Sequence, residues 1–348
     1  MTIIGGLDVH RAQITYDYLD SETGEVRTGQ VRPATREAVR AWLAGRFGGR
    51  CDVKLALEGC TGWRFIVEEL QSAGIEAHLA EPADTAALRG PKKRAKTDGR
   101  DARLLRDLLL QGRLPESWIP PQHVLEARTL GRLYLALMAG RRTWLQRIQA
   151  QLYHQGVPEV AALLTCEGLD ALAAAELSPA GRQVIDTALA VIADLERQLQ
   201  QLRAQLHTLG RSLPGPRALK LHYGIGALCA VVIWAEMGDC RRFGHPDQAV
   251  RLAGLDVTVW ASDSKRAAGR LARQGAPTLR WALFEAAKCA ARQKSPDHDY
   301  YQSVRARLDA KRATLSVARK LARRCYHTLR DLGPEALAAP DESIPRAA

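Results

Sequence analysis

The sequence predicts a mixed α/β domain at the N-terminus, a helical middle and a mainly α-helical C-terminal domain. Three observations predict it. Short apolar strands alternate with turns and helices through the N-terminal part, and apolar residues at heptad spacing fill the middle. A Pro214-Gly215-Pro216 break then opens a third part, with helical spacing and glycine turns.

Residues 3–9 (IIGGLDV) read as a short buried strand with Asp8 near its end. Residues 13–19 (QITYDYL) are β-prone, residues 21–24 (SETG) have turn chemistry, and residues 25–31 return as a third strand, which makes an antiparallel meander. Helical spacing follows within 36–47, at Val39, Trp42, Leu43 and Phe47. Residues 52–58 (DVKLALE) alternate apolar positions and end in Glu58; a helix over 62–73 and a strand over 75–80 come next. A basic loop leads into a helix that starts at Asp98 and runs to about Gln111. The order βββαβαβ followed by a helix argues for a mixed sheet with helices packed on it.

Pro115, Pro120 and Pro121 mark a linker. Residues 122–155 have helical spacing, with Arg128, Arg132, Arg141, Arg142 and Arg147 on the polar side. That side is either a solvated face or one turned to nucleic acid. Ala188, Ile192, Leu195, Leu199, Leu202, Leu206 and Leu209 step by four and three, a heptad seam and a coiled-coil signal. The seam can pair with 122–155 of the same chain or with another subunit. Beyond the break, Tyr223-Gly224-Ile225-Gly226 makes a turn between helices that resembles a helix-hairpin-helix, whose glycines let backbone N–H groups approach phosphate. Helices are expected over 278–291 and, strongly basic, over 300–329; the stretch after Pro334 is expected to be loose. The expected divisions are 1–114, 115–213 and 214–334, with 335–348 as a flexible tail.

A chain of 348 residues with 46% hydrophobic content can bury two or three cores, which excludes a disordered protein. Its 50 Lys and Arg exceed its 38 Asp and Glu, a formal charge of +12 that favours a polyanionic partner, nucleic acid before an acidic membrane surface. None of the seven cysteines stands at CxxC spacing, which argues against zinc and for a reduced, cytoplasmic setting. No apolar run is long enough to span a bilayer, and no signal peptide precedes the first strand, so no membrane partner is expected.

The chemistry concentrates in 94–107 (RAKTDGRDARLLRD). Asp98 and Asp101 are three apart, which puts both carboxylates on one helix face. Taken alone, the pair reads first as a capping-box variant, with Asp98 as the cap and Asp101 at N3. Lys92, Lys93, Arg94 and Lys96 precede it and Arg100 lies within it, a basic group suited to a phosphate backbone. Asp8 and Glu58 end apolar strands, where an acid is costly unless paired or metal-bound, and where open α/β sheets gather their active sites. Four carboxylates in one place suit two Mg²⁺ ions and phosphodiester chemistry.

The order Asp8 in GLDVH, Glu58 in LALEGCTG, and Asp98 and Asp101 in KTDGRDARLL resembles the DEDD transposases of the insertion-sequence-110 family, relatives of the Piv-type DNA invertases. Gly59-Cys60 departs from the Ala-Thr-Gly common after that glutamate. The resemblance implies a RuvC-like, ribonuclease H fold for the N-terminal domain, with Asp8, Glu58, Asp98 and Asp101 as Mg²⁺ ligands. It implies a linking coiled coil that dimerises, which favours the intermolecular pairing of the heptad seam. In residues 260–275 (WASDSKRAAGRLARQG) it implies a serine nucleophile on DNA. By position this is Ser262; Asp263 stands where glycine is usual, which leaves Ser264 open beside it. Lys265, Arg266, Arg270 and Arg273 follow, as either a phosphate-gripping loop or a solvated charge run. Also implied are a structured RNA, encoded by the element, that pairs with donor and target DNA, and homodimers that assemble into tetramers with composite active sites. The expected function is therefore a site-specific DNA recombinase, the transposase of an insertion element. Its rivals are a metal-dependent nuclease or junction resolvase without serine chemistry, and a non-catalytic nucleic-acid scaffold.

Overall fold

The computed structural model describes residues 2–50, 52–88, 97–258, 261–262, 265–266 and 269–340. The chain divides into two compact units, Met1–Ile119 and Pro120–Ala348.

The first unit is built on a six-stranded mixed sheet. Strands β1 (Ile3–Val9), β2 (Ile14–Asp20) and β3 (Val26–Val31) form the expected antiparallel meander. After helix α1 (Arg36–Phe47), strand β4 (Val53–Glu58) pairs parallel to β1; after α2 (Trp63–Ser72), β5 (Glu76–Ala80) pairs parallel to β4. Helices α3 (Pro82–Ala87) and α4 (Asp98–Leu110) precede β6 (Glu116–Ser117), and the strand order is β3-β2-β1-β4-β5-β6. One face of the sheet packs Leu7, Leu55 and Leu57 against Val39, Leu43 and Phe47 of α1 and Ile66 and Leu70 of α2. The opposite face packs Ala56 and Ala80 against Leu105 of α4. Both faces of β4 are therefore covered, as its nearly continuous apolar run requires.

Helix α4 comes unusually close to β1. A Cβ placed on Gly6 would lie 2.0 Å from the Ala102 carbonyl oxygen and 2.7 Å from the Arg106 nitrogen, so only glycine allows this packing. Asp17 on β2, 1% exposed, fixes the same helix: Arg106 pairs with one carboxylate oxygen and Arg103 Nε lies 3.3 Å from the other. Helix α3 stands where the sequence suggested only loop. Pro82 occupies its first turn, and the buried Thr85 hydroxyl donates to the Glu81 carbonyl at 2.8 Å. Six residues are too few to show a helical period.

The second unit is helical. It begins with α5 (Gln122–His154), α6 (Cys166–Ala174), α7 (Pro179–Ser212), α8 (Pro214–Leu219), α9 (Ala227–Met237) and α10 (Pro246–Leu252). Four two-residue strands follow: β7 (Val257–Thr258), β8 (Ala261–Ser262), β9 (Lys265–Arg266) and β10 (Arg270–Leu271). Helices α11 (Pro277–Ala287), α12 (His298–Arg307) and α13 (Ala310–Leu332) complete it. Helix α9 (ALCAVVIWAEM) is apolar all round and correspondingly buried, with the Trp234 indole donating to the Ala336 carbonyl at 2.6 Å.

The structure departs from four expectations of the sequence. The heptad seam closes on α5 of the same chain, in an antiparallel hairpin: Ile185, Ala188 and Ile192 pack with Ile148 and Leu152, and Arg203 bonds the Tyr134 hydroxyl at 2.9 Å. Leu199, Leu202 and Leu206 are buried with them, so the seam is not a face held open for another subunit. The arginines of α5 are largely engaged inside the chain. Arg128 donates to the Ala235 and Glu236 carbonyls, Arg132 grips the buried Glu236 carboxylate at 2.9 and 3.1 Å, and Arg141 bonds Glu196. The expected single helix over 300–329 is two helices, because the Asp309 carboxylate accepts the Arg312 N–H at 2.7 Å and so starts α13 afresh. After Pro334 the chain is not loose at first: Gly333–Leu337 forms a 3₁₀ turn with Ala336 buried. Residues 341–348 lie outside the described residues. No described helix is long and apolar enough to cross a membrane.

Candidate active site

Sheet register places the first two acids. Gly6 pairs with Ala56 and Leu7 with Leu57 in the parallel ladder of β1 and β4. Gly6 and Ala56 both face α4. Side chains alternate along a strand, so Asp8 and Glu58, two residues on, share that face at the carboxyl ends of the two strands. Helix α4 brings the other two acids in its first turn, where the helix dipole favours negative charge. Its N-cap is Thr97, not Asp98. Asp98 is the first helical residue, and its side chain is free to point toward the sheet.

The Asp8 and Asp98 carboxylates converge on His10. Its Nε2 lies 3.1 Å from Asp8 Oδ2 and 3.6 Å from Asp98 Oδ1. One ligand atom from each of Asp8, His10 and Asp98 can be chosen so that all lie within 4.8 Å of one another. The other Asp98 oxygen accepts the Gln13 side-chain amide N–H at 3.1 Å, and Arg32 in turn donates to Gln13 Oε1. The β1–β2 turn supplies both neighbours, since the His10 N–H donates to the Gln13 carbonyl at 2.9 Å. Burial raises the Asp8 carboxyl above its ordinary value. The His10 ring opposes this, while the charges of Asp101 and Asp98 add to it.

These residues fit a divalent cation. The donors are mainly hard oxygens, and the crowding of negative charge at Asp8 is what a cation relieves. Thr15 faces Asp8 across the β1–β2 pair, and its buried hydroxyl has no hydrogen-bond partner among the described residues. A hydrated cation at the site would offer it one.

The remaining sequence candidates lie as follows. Arg100 sits exposed in the first turn of α4. Lys92, Lys93, Arg94 and Lys96 lie outside the described residues, as does Ser264. Ser262 lies in β8 and pairs with Lys265 of β9, and Ala261 pairs with Arg266. Arg270 lies in β10, opposite Thr258 of β7. Arg273 is exposed and holds a left-handed φ of 55°. His10 and Gln13 are not among the sequence candidates. His10 could have been found, because it follows Asp8 by two on the same strand direction. Gln13 meets Asp98 across 85 positions of chain, a contact that no local pattern announces.

Comparison with known families adds two matches. Residues 5–155, which contain all four acids, match the model of the IS110 DEDD domain, described as a transposase. Residues 217–302, which contain Ser262, match the model described as transposase of the IS116/IS110/IS902 family. No curated protein matches the chain.

Proposed function

We propose that this chain, which belongs to the IS110 family of transposases, exchanges DNA strands with Mg²⁺ held by Asp8, Glu58, Asp98 and Asp101 and with Ser262 as the nucleophile. The observation that carries the first part is the meeting of Asp8 and Asp98 across β1 and α4, with Glu58 on the same face by register. A divalent cation bound there would stabilise charge on a leaving oxygen and favour a deprotonated hydroxyl. Gln13 holds Asp98 in its ligating orientation through the oxygen turned away from His10. The Ser262 reading rests on its place within the second matched domain and on the cations Lys265, Arg266, Arg270 and Arg273 that follow it. In that step Ser262 Oγ loses its proton and bonds the scissile phosphorus. The phosphorus–oxygen bond of the DNA breaks, and the released strand end takes up a proton as its hydroxyl. The reverse step, with a strand end from the partner duplex, seals the exchanged strand.

On this reading residues 1–114 carry the metal site, 115–213 link, and 214–334 carry the serine. The +12 charge agrees with a structured guide RNA bound beside DNA. Dimers and tetramers would form through surfaces other than the α5–α7 seam, which the chain fills itself.

The test is recombination between element ends and a target plasmid, with the flanking non-coding RNA supplied. Ser262→Ala is expected to abolish strand transfer and the covalent protein–DNA adduct while DNA still binds. Asp98→Asn is expected to lower the rate at least roughly a hundredfold. Ordinary hydrolysed ends made by Ser262→Ala at the wild-type rate would replace the serine mechanism with simple hydrolysis.

A further inference from the structure

In the second unit, Leu271, Arg273, Leu308, Lys311, Arg312 and Arg319 line an open cavity of about 850 Å³. One wall is the β7–β10 pair, which brackets the segment holding Ser262; the other is the first turns of α13. Gly269 lets this wall form, since a Cβ there would lie 2.2 Å from Val257 Cγ1. The cavity has four cationic side chains and one acid, Asp309, which caps α13 and pairs with Arg312 at 3.5 Å, leaving an excess of three positive charges. A neighbouring cavity of about 410 Å³ shares Arg319 but is nearly neutral, because Asp247 pairs with Arg323 at 2.8 Å and Asp256 lies 3.9 Å from Arg251.

Two features here work against stability, at Arg273 and in the first turn of α13, and Arg319 is held beside them by a hydrogen bond. Arg273 holds a left-handed φ of 55°, where glycine is the residue without strain. Lys311 and Arg312 stand in the first turn of α13, which contains no acid, although the helix dipole disfavours cations at that end. Arg319, half-buried, donates to the Leu255 carbonyl at 2.6 Å, and burial depresses its pKa. No acid among the described residues pairs with Arg273 or Lys311. Local rules broken together at one place mark a binding surface.

We propose that this groove grips the phosphate backbone of duplex DNA. Its cations match a run of phosphates, and the apolar floor of Leu271 and Leu308 offers contact to the sugar edge. Only the choice of DNA as occupant rests on the transposase reading; the excess of positive charge does not.

The strain supplies the test. Lys311→Glu places an acid where the α13 dipole favours one, and Arg273→Gly relieves the left-handed backbone, so neither change should weaken the fold. In the full chain, the double variant is expected to melt at or above the wild-type temperature. It should bind a short DNA duplex of arbitrary sequence roughly tenfold or more weakly, with a salt slope smaller by about two. Wild-type affinity and slope in the double variant would overturn the groove, as would a loss confined to an RNA hairpin probe. A wild-type chain that binds no duplex at all would instead count against the transposase reading.

Discussion

Gln13 and Asp98 are 85 positions apart in the chain and 3.1 Å apart in space. On the proposed function, that single contact decides which oxygen of Asp98 is left for a metal. A ligand carboxylate with one oxygen tied down has lost the freedom to turn away, and such supporting contacts are commonly worth ten- to a hundredfold in metal affinity. Gln13→Ala is therefore expected to weaken Mn²⁺ binding roughly tenfold, measured calorimetrically without DNA, while the melting temperature stays close to wild type. Unchanged affinity would reduce Gln13 to a surface contact. At this scale the four acids are readable from sequence, since two end apolar strands and two open a helix. The side chains that orient them are not readable, because they meet only after the β1–β2 turn and α4 are both in place.

Docking of α4 on β1 brings Asp98 to Asp8 and His10. The closest approach is at Gly6, where even a methyl group meets backbone atoms 2.0 Å away. Gly6→Ala should cost at least about 3 kcal/mol of stability, by overpacking against backbone that cannot move aside. It should also weaken Mn²⁺ binding, because the displaced helix carries Asp98 and Asp101. A variant that melts like wild type and binds metal normally would contradict this packing. In the second unit, α13 is held by Asp297, 3% exposed, which takes Arg324 at 2.6 and 2.8 Å and Lys320 at 2.8 Å. Burial raises the Asp297 carboxyl, but the bonds from Arg324 and Lys320 outweigh it, and the net pKa is below the ordinary value. Its contribution is thus fully present above the unfolded pKa of about 4 and is lost as pH falls through the lower folded value. Asp297→Asn should cost about 2 kcal/mol at neutral pH, and the difference from wild type should shrink in acid melts below about pH 4. A difference that persists unchanged at low pH would remove the ion pairs from the account. Elements with long periods were legible to within a residue or two, as β1, β4, α1 and α5 show. Helix α3 and strand β6 were not, being shorter than any period. The break at Asp309 is masked in the sequence by apolar spacing that continues on both sides of the cap.

The whole molecule separates two kinds of positive charge. Arg128, Arg132 and Arg141 of α5 and Arg323, Arg324 and Arg330 of α13 satisfy carbonyls and acids of the chain itself, so the +12 total overstates what is available to a polyanion. The heptad seam likewise serves the α5–α7 hairpin within one chain. Ile192→Ala should destabilise the second unit by about 2–4 kcal/mol and leave the oligomeric state unchanged, measured by melting and sedimentation. Dissociation of an assembly without loss of stability would return the seam to a role between subunits. The proposed function stands on Asp8, Glu58, Asp98 and Asp101 forming one metal centre. Anomalous scattering from crystals of the full chain grown with Mn²⁺ measures it directly. A peak is expected within coordination distance of the Asp8 and Asp98 carboxylates, on the face that Glu58 shares. A peak held by other residues, or none near these acids at saturating Mn²⁺, would contradict it.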